Sequence, residues 1–287
     1  MHEQKPDNRP LKVFLINLDR AGDRLAAMQA KLDRVGLQFE RVAAVDGEML
    51  DFPLAEFSER SFRFMHGRHR NPGEVGCYLS HVECARRLLE SESEFALVLE
   101  DDLEFPADLT EFLQAALEAA AAWDILRLST VNRGRKFSFA RLTDKRSLAI
   151  ALTREKGSGA YLINRRAAHW FVEKLLPMRL PFDLAFDVEF FDGLKSAFVS
   201  PVPIDQTIGL PSQIQSKRRR YHRSRWHYLT VLPYRAFIEA SRLFFRLRRL
   251  SVALVYAFAA AVWKSDRIGR GAVQFPRNAV KQAGDTQ

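Results

Sequence analysis

Apolar and polar positions along the chain switch between two periods. Residues 11–18, Leu-Lys-Val-Phe-Leu-Ile-Asn-Leu, are almost unbroken apolar sequence and predict a strand buried on both faces. From Asp19 to Val35 the apolar residues Leu25, Met28, Leu32 and Val35 recur at helical spacing, and Gly36 follows as a C-cap. Phe39 to Val45 predicts a second short strand, closed by Asp46-Gly47. Strand, helix and strand in this order make a βαβ unit, the building block of parallel sheets. Residues 48–72 are polar and read as irregular. A helix is predicted from Cys77 to Leu89, a strand from Phe95 to Leu99, an Ala-rich helix from Leu109 to Ala122 and a strand from Trp123 to Leu128. The basic stretch 132–156 reads as a mobile loop with short strands, able to close over a bound ligand. Then come a strand at Gly157 to Ile163, a helix at Arg165 to Leu176, a short helix in Phe182 to Leu194 and a strand at Ala197 to Val202. The alternation predicts an α/β open sheet.

Charge divides the chain. Residues 217–287 hold 16 Lys and Arg against 3 acidic residues, a net +13, whereas residues 1–216 hold 28 against 32, a net −4. A mildly acidic body therefore carries a strongly basic tail, which suggests a separate role at an anionic surface. The polar stretch Met1 to Pro10 has no apolar core and argues against a secretory signal. Cys77 and Cys84, the two cysteines, sit seven residues apart on the predicted helix, about 10 Å at the helical rise. That separation is too wide for a disulfide, and reduced thiols fit a cytosolic compartment. Arginine outnumbers lysine three to one, the usage of a GC-rich bacterial genome.

The chemistry-bearing feature is Glu100-Asp101-Asp102, directly after the buried run Leu97-Val98-Leu99. Open α/β sheets bind ligands at the carboxyl ends of their strands. Three adjacent carboxylates repel one another and call for a counter-charge, which Mg²⁺ or Mn²⁺ supplies through hard oxygen ligands. Such an ion bridges phosphates. The plain alternative is a solvated acidic turn that caps the next helix. On pattern alone a phosphatase, a nucleotidyltransferase and a sugar transferase all remain open.

Seven blocks in order carry a family resemblance: VFLINLDRAGDR from Val13, FERVAAVDG from Phe39, GEVGCYLSH from Gly73, ALVLEDD from Ala96, WDILRL from Trp123, GSGAYLINRR from Gly157 and PFD from Pro181. Over residues 11–215 the chain resembles the family 25 glycosyltransferases, the lipopolysaccharide and lipooligosaccharide galactosyltransferase type related to the collagen galactosyltransferases. The resemblance implies a GT-A-like nucleotide-sugar-binding open sheet, a UDP-sugar donor (usually UDP-galactose), a divalent metal and inversion at the anomeric carbon. It places Glu100, Asp101 and Asp102 at the metal and the donor's ribose, with Asp102 the first metal ligand and Glu100 the second.

The other blocks supply donor-site candidates. Asn17, Asp19, Arg20 and Arg24 lie at the end of the first strand and the start of its helix, where bases and phosphates are met; Arg24 offers a two-pronged phosphate contact. A capping role for Asp19 and solvated arginines are the plain alternative. Asp46 is a nucleoside contact or a turn residue. Glu74 is a donor-site or helix-capping carboxylate, and Ser80 and His81 a donor-site pair or packed core. A zinc site is not expected from His81 and a cysteine, since no further ligands stand at suitable spacing. An inverting transferase needs a base for the acceptor hydroxyl; Asp183 is the candidate and Asp187 the second.

Beyond Gln215 the resemblance fades. Lys217-Arg218-Arg219-Arg220, Arg223 and Arg225 are interleaved with Tyr221, Trp226 and Tyr228. Arg235, Arg242, Arg246 and Arg249 then follow at helical spacing beside Tyr234, Phe237, Ile238 and Phe245, and Ser251 to Trp263 is a 13-residue apolar run, too short to span a bilayer. A basic amphipathic helical extension over 217–287 that binds an anionic membrane is the expectation; nucleic acid is the weaker partner reading. The domain plan is thus a polar tail at 1–10, a catalytic domain at 11–216 and the basic tail. The leading function is hexosyl transfer, galactose first, from a UDP-sugar to a lipopolysaccharide, lipooligosaccharide or similar glycolipid or oligosaccharide acceptor, at the cytoplasmic face of a bacterial inner membrane. The rival is a non-catalytic membrane- or nucleic-acid-binding protein that retains the fold.

Overall fold

A computed structural model describes residues 11–132, 134–206 and 228–270, of which 256–270 by backbone alone. Residues 1–10, the basic run 217–227 and the end of the chain lie outside the described residues, as do the side chains of most of the apolar run 251–263.

The predicted βαβ start is present: β1 (Leu11–Asn17), α1 (Gly22–Arg34) and β2 (Glu40–Ala43), with β1 and β2 parallel. Gly36 takes φ +69° just past α1, the left-handed turn for which glycine is suited. The segment read as irregular contains a helix, α2 (Glu59–His66), whose Ser58 side chain accepts from Ser61 N–H and whose end turns on Gly67. The next helix, α3 (Pro72–Glu90), starts five residues before its predicted start, because Asn71 caps it and Pro72 occupies its first turn.

Then follow β3 (Phe95–Glu100), β4 (Leu103–Glu104), α4 (Leu109–Glu118) and β5 (Ile125–Arg127). The basic stretch 132–156 is a hairpin of the main sheet rather than a loop over a ligand: β6 (Lys136–Arg141) pairs antiparallel with β7 (Ser147–Ala151). Next come β8 (Ala160–Asn164), α5 (Arg165–Lys174), α6 (Phe182–Ala185) running into a 3-10 turn at Phe186–Asp192, and β9 (Ser196–Ser200). A short β10 (Asp205–Gln206) pairs with β4, and α7 (Tyr228–Arg270) follows.

The eight-stranded sheet has the order β2-β1-β3-β8-β5-β9-β7-β6. It is parallel across β2, β1 and β3 and mixed beyond, since β8 and β7 run antiparallel to their neighbours. Alternation along the strands divides the core in two. Phe14, Ile16, Ala96 and Val98 pack on the side of α3 and α5, with Tyr78 and Phe171. Val13, Leu15, Leu97 and Leu99 pack on the other, with Met28 and Phe112. Glu100 is two residues on from Val98, so it inherits the α3 side.

α7 turns its charge inward. Arg242 and Arg246 are 1% and 4% exposed, while Leu229, Leu232, Phe237, Leu243, Phe244, Leu247, Leu254 and Val255 face outward. The helix reads as a basic surface helix because its arginines fall at helical spacing. Period alone does not say which face meets the body.

Candidate active site

Two close backbone contacts build the floor of the site. Gly47, after β2, lies against the first turn of α3, and a Cβ there would drive into the carbonyl of Pro72. A Cβ on Gly76 would meet the carbonyl of Val45. Ser80 fastens the same joint: its hydroxyl accepts from Val45 N–H at 2.8 Å and donates to the Gly76 carbonyl at 2.7 Å. Ser80 is wholly buried, so it supports the site from behind and has no free face toward a donor.

The other face of α3 carries Glu74, Cys77 and His81, spaced by three and four residues. His81 reaches Glu100, with Nε2 at 3.3 Å from Oε1. Its Nδ1 meets the Tyr161 hydroxyl at 2.9 Å, and its ring lies flat on Phe182 with centroids 4.2 Å apart. Ser158 donates to the same Glu100 oxygen at 3.0 Å. Burial pushes the Glu100 carboxyl up, but the bonds from His81 and Ser158 and the charge of Arg24 outweigh it, so it stays below its ordinary value.

The triplet splits at this point. Asp101 accepts from Asn17 Nδ2 at 2.7 Å and pairs with Arg24 at 2.5 Å. Burial still holds its carboxyl above the ordinary value, against the pull of Asn17 and Arg24. Asp102 touches Arg24 at 3.2 Å through Oδ2, whereas its Oδ1 is buried with no hydrogen-bond partner among the described residues. Burial first, then the charges of Glu100 and Asp101, push the Asp102 carboxyl up to about 6. An orphaned, buried oxygen beside two further carboxylates is what a hard divalent cation would satisfy. The residues therefore fit a Mg²⁺ or Mn²⁺ ion held by Asp102, with Glu100 and Asp101 adding negative charge around it.

The remaining candidates scatter around this centre. Arg24 sits against Asp101 and Asp102 and offsets part of their charge. Arg20 pairs with Asp46, whose other oxygen caps the following turn by accepting from Glu48 N–H at 3.1 Å. Arg41, which motif reading missed, ties the rim together by reaching the Asn17 side chain at 3.2 Å and pairing with Asp19. Asp183 is half-buried at the start of α6 and accepts from Gly157 N–H at 3.5 Å. Cys77, which the sequence offered only as a buried thiol, lies among Glu100, Asp183, Glu74 and Asp102. Burial above all, then those four charges, push its thiol well up.

Asp187, the second candidate base, must be withdrawn. It is 1% exposed, and its carboxylate is held by Arg127 at 3.0 Å, Arg246 at 2.8 Å and Arg242 at 3.2 Å. A carboxylate gripped by three guanidiniums and shut from solvent has no way to reach an acceptor hydroxyl. Glu189 shares Arg246 at 3.0 Å. Arg127 ties this cluster to the site: it lies over the Phe186 and Phe198 rings and donates to the carbonyls of Glu155 and Gly157.

The family described as Glycosyltransferase family 25 (LPS biosynthesis protein) matches residues 11–186, more than half of the chain. Among relatives, a "Procollagen galactosyltransferase 1-B" of Xenopus laevis is 34% identical over 128 residues, which are 41% of this chain and 21% of that one. A "Glycosyltransferase 25 family member" of Drosophila pseudoobscura pseudoobscura is 36% identical over 100 residues, 32% of this chain and 16% of the relative. The chain thus spans about a fifth or less of the length of these two animal relatives. Among solved structures, a mannose-1-phosphate geranyltransferase from Thermus thermophilus aligns with a TM-score of 0.30 at 11% identity, over 68% of this chain and 75% of that one.

Proposed function

The chain belongs to glycosyltransferase family 25, and from that premise we propose that it moves a hexose, galactose first, from a UDP-sugar to a glycan acceptor with inversion. The observation that carries this is the orphaned Oδ1 of Asp102 at the end of β3, inside a nest of carboxylates whose basic partners among the described residues are Arg24 and His81. A divalent cation bound there, Mn²⁺ or Mg²⁺, supplies positive charge to the donor's diphosphate. His81 and Ser158 hold Glu100 in place, and Asn17 and Arg24 hold Asp101. Asp183 is the base, taking the proton of the acceptor hydroxyl on its carboxylate oxygen.

Calorimetric titration with UDP, with and without Mn²⁺, tests the reading. UDP binding should need the metal, and Asp102→Asn should weaken it at least tenfold. Metal-independent UDP binding, or an Asp102→Asn protein that binds like the parent, would sink the transferase reading and favour a non-catalytic protein on this fold.

The acceptor is proposed to be lipid-linked, of the lipopolysaccharide or lipooligosaccharide kind, met at the cytoplasmic face of a bacterial membrane. What supports this is the outward apolar face of α7 together with the basic sequence 217–225 before it. No helix among the described residues is long and apolar enough to cross a membrane. The proposed contact is made by the apolar face, since Arg242, Arg246 and Arg249 are engaged with the body. Phe244→Asp with Leu247→Asp should abolish flotation with anionic liposomes; flotation equal to the parent's would refute the contact.

A further inference from the structure

We propose that Cys77, His81 and Glu100 form a site for a soft divalent cation of the Zn²⁺ class, distinct from the Asp102 oxygen assigned to the donor's metal. The Cys77 sulfur, a ring nitrogen of His81 and a carboxylate oxygen of Glu100 all lie within 4.8 Å of one another. Zinc bonds of about 2.0–2.3 Å set tetrahedral ligands roughly 3.5 Å apart, so side-chain shifts of about an ångström close the set. Cys77 and His81 are one helical turn apart on α3 and share a face, and Glu100 comes from the end of β3 opposite. The third ligand lies on a different element from the first two, which is why local spacing in the sequence does not reveal the set.

Two further observations resemble a built metal site. Ligating histidines have their second nitrogen held by a neighbour, and here Nδ1 meets the Tyr161 hydroxyl while Phe182 fixes the ring plane. Glu100 is oriented in the same way by Ser158. The donor chemistry is also selective. Sulfur, imidazole and carboxylate suit zinc, whereas Mg²⁺ and Mn²⁺ prefer oxygen alone. Three protein ligands leave a fourth position, and Cys77 is only partly buried, so a solvent molecule can reach it. On binding, the thiol proton leaves to solvent as the sulfur–metal bond forms. The His81 ring proton passes from Nε2 to Nδ1, where the Tyr161 hydroxyl oxygen accepts it in a hydrogen bond, and the freed Nε2 lone pair binds the metal in place of the His81–Glu100 hydrogen bond. Because Glu100 serves both places, zinc here competes for a carboxylate that the proposed donor site also uses.

Cobalt reports the thiolate. Full-length protein freed of metal should, on titration with Co²⁺, develop a near-ultraviolet sulfur-to-cobalt charge-transfer band that saturates at one ion per chain and is erased by Zn²⁺. Cys77→Ser should lack the band and Asp102→Asn should keep it. No band in the parent, the same band in Cys77→Ser, or its loss in Asp102→Asn would overturn the proposal. Zinc-edge X-ray absorption on the unaltered protein gives a second decision that needs no variant: a sulfur shell at about 2.3 Å supports the site, and a shell of nitrogen and oxygen alone refutes it. The site does not depend on the transferase reading. A cobalt band without metal-dependent UDP binding would remove that reading and leave this one, and the reverse result would do the opposite.

Discussion

The fold holds two groups of carboxylates, treated in opposite ways. Behind the sheet, Asp187 and Glu189 are matched by Arg127, Arg242 and Arg246 and sealed from water. At the end of β3, Glu100, Asp101 and Asp102 share one guanidinium, that of Arg24, and the imidazole of His81 among the described residues. Burying charge costs several kcal/mol per ion unless it is matched. The first group meets that cost within the chain and is architecture. The second leaves its balance open, and an open balance is where an external cation gains free energy by binding. Matching, more than the presence of acids, separates structure from function here.

The comparison breaks most visibly if the matched group is unmatched. Arg246→Met removes a 4%-exposed guanidinium from both Asp187 and Glu189. Removing one partner of a buried pair costs about 3–5 kcal/mol, so urea unfolding should show a loss of that size. A loss under about 1 kcal/mol would mean the arginines are not what holds α7 to the body. In the unmatched group the expected effect is on binding rather than on folding. Asp102→Asn removes a like charge from Glu100 and Asp101, so it should weaken metal-dependent UDP binding while leaving the unfolding midpoint at or above the parent's.

The smallest effect is one of pH. The Asp102 carboxyl, raised to about 6, binds its proton more tightly in the folded chain than in the unfolded one, where its value is near 3.8. This group therefore favours the folded state below about pH 4, and that contribution is lost as pH rises through 6. A cation needs the ionised form. Its affinity should be flat above about pH 7 and fall by up to tenfold per pH unit below 6. Calorimetry across pH 5–8 reads this directly, and a flat profile down to pH 5 would take Asp102 out of the cation's coordination.

Much of the front half was legible because its signals are local. The apolar run of β1, the period of α1 and the acidic triplet at a strand end all depend on neighbours in sequence. The short strands read in 132–156 are there, but their place in the main sheet was not legible, since the pairing of β7 with β9 joins residues some fifty positions apart. Asp187 read as a base because position after a Pro-Phe-Asp turn does not disclose three arginines from β5 and α7. Cys77 read as inert for a similar reason, since its neighbours Asp183 and Glu100 arrive from other elements. Arg242 and Arg246 show the same limit from the other side. A helical stripe of charge specifies a face, and only the acids waiting opposite decide whether that face meets water.

The inward arginines of α7 also bear on how this chain can be recombined. The segment that matches the family ends at Phe186, one residue before the acids that the helix satisfies. A chimera that takes residues 11–186 from one relative and the remainder from another would keep acids and arginines together but separate both from Arg127. A cut after Ser200 would keep Arg127 with Asp187 but part both acids from Arg242 and Arg246. Acids and helix form one unit of inheritance, and the seam safe for grafting lies before Asp187 only if the donor of the second half brings residues that accept Arg127.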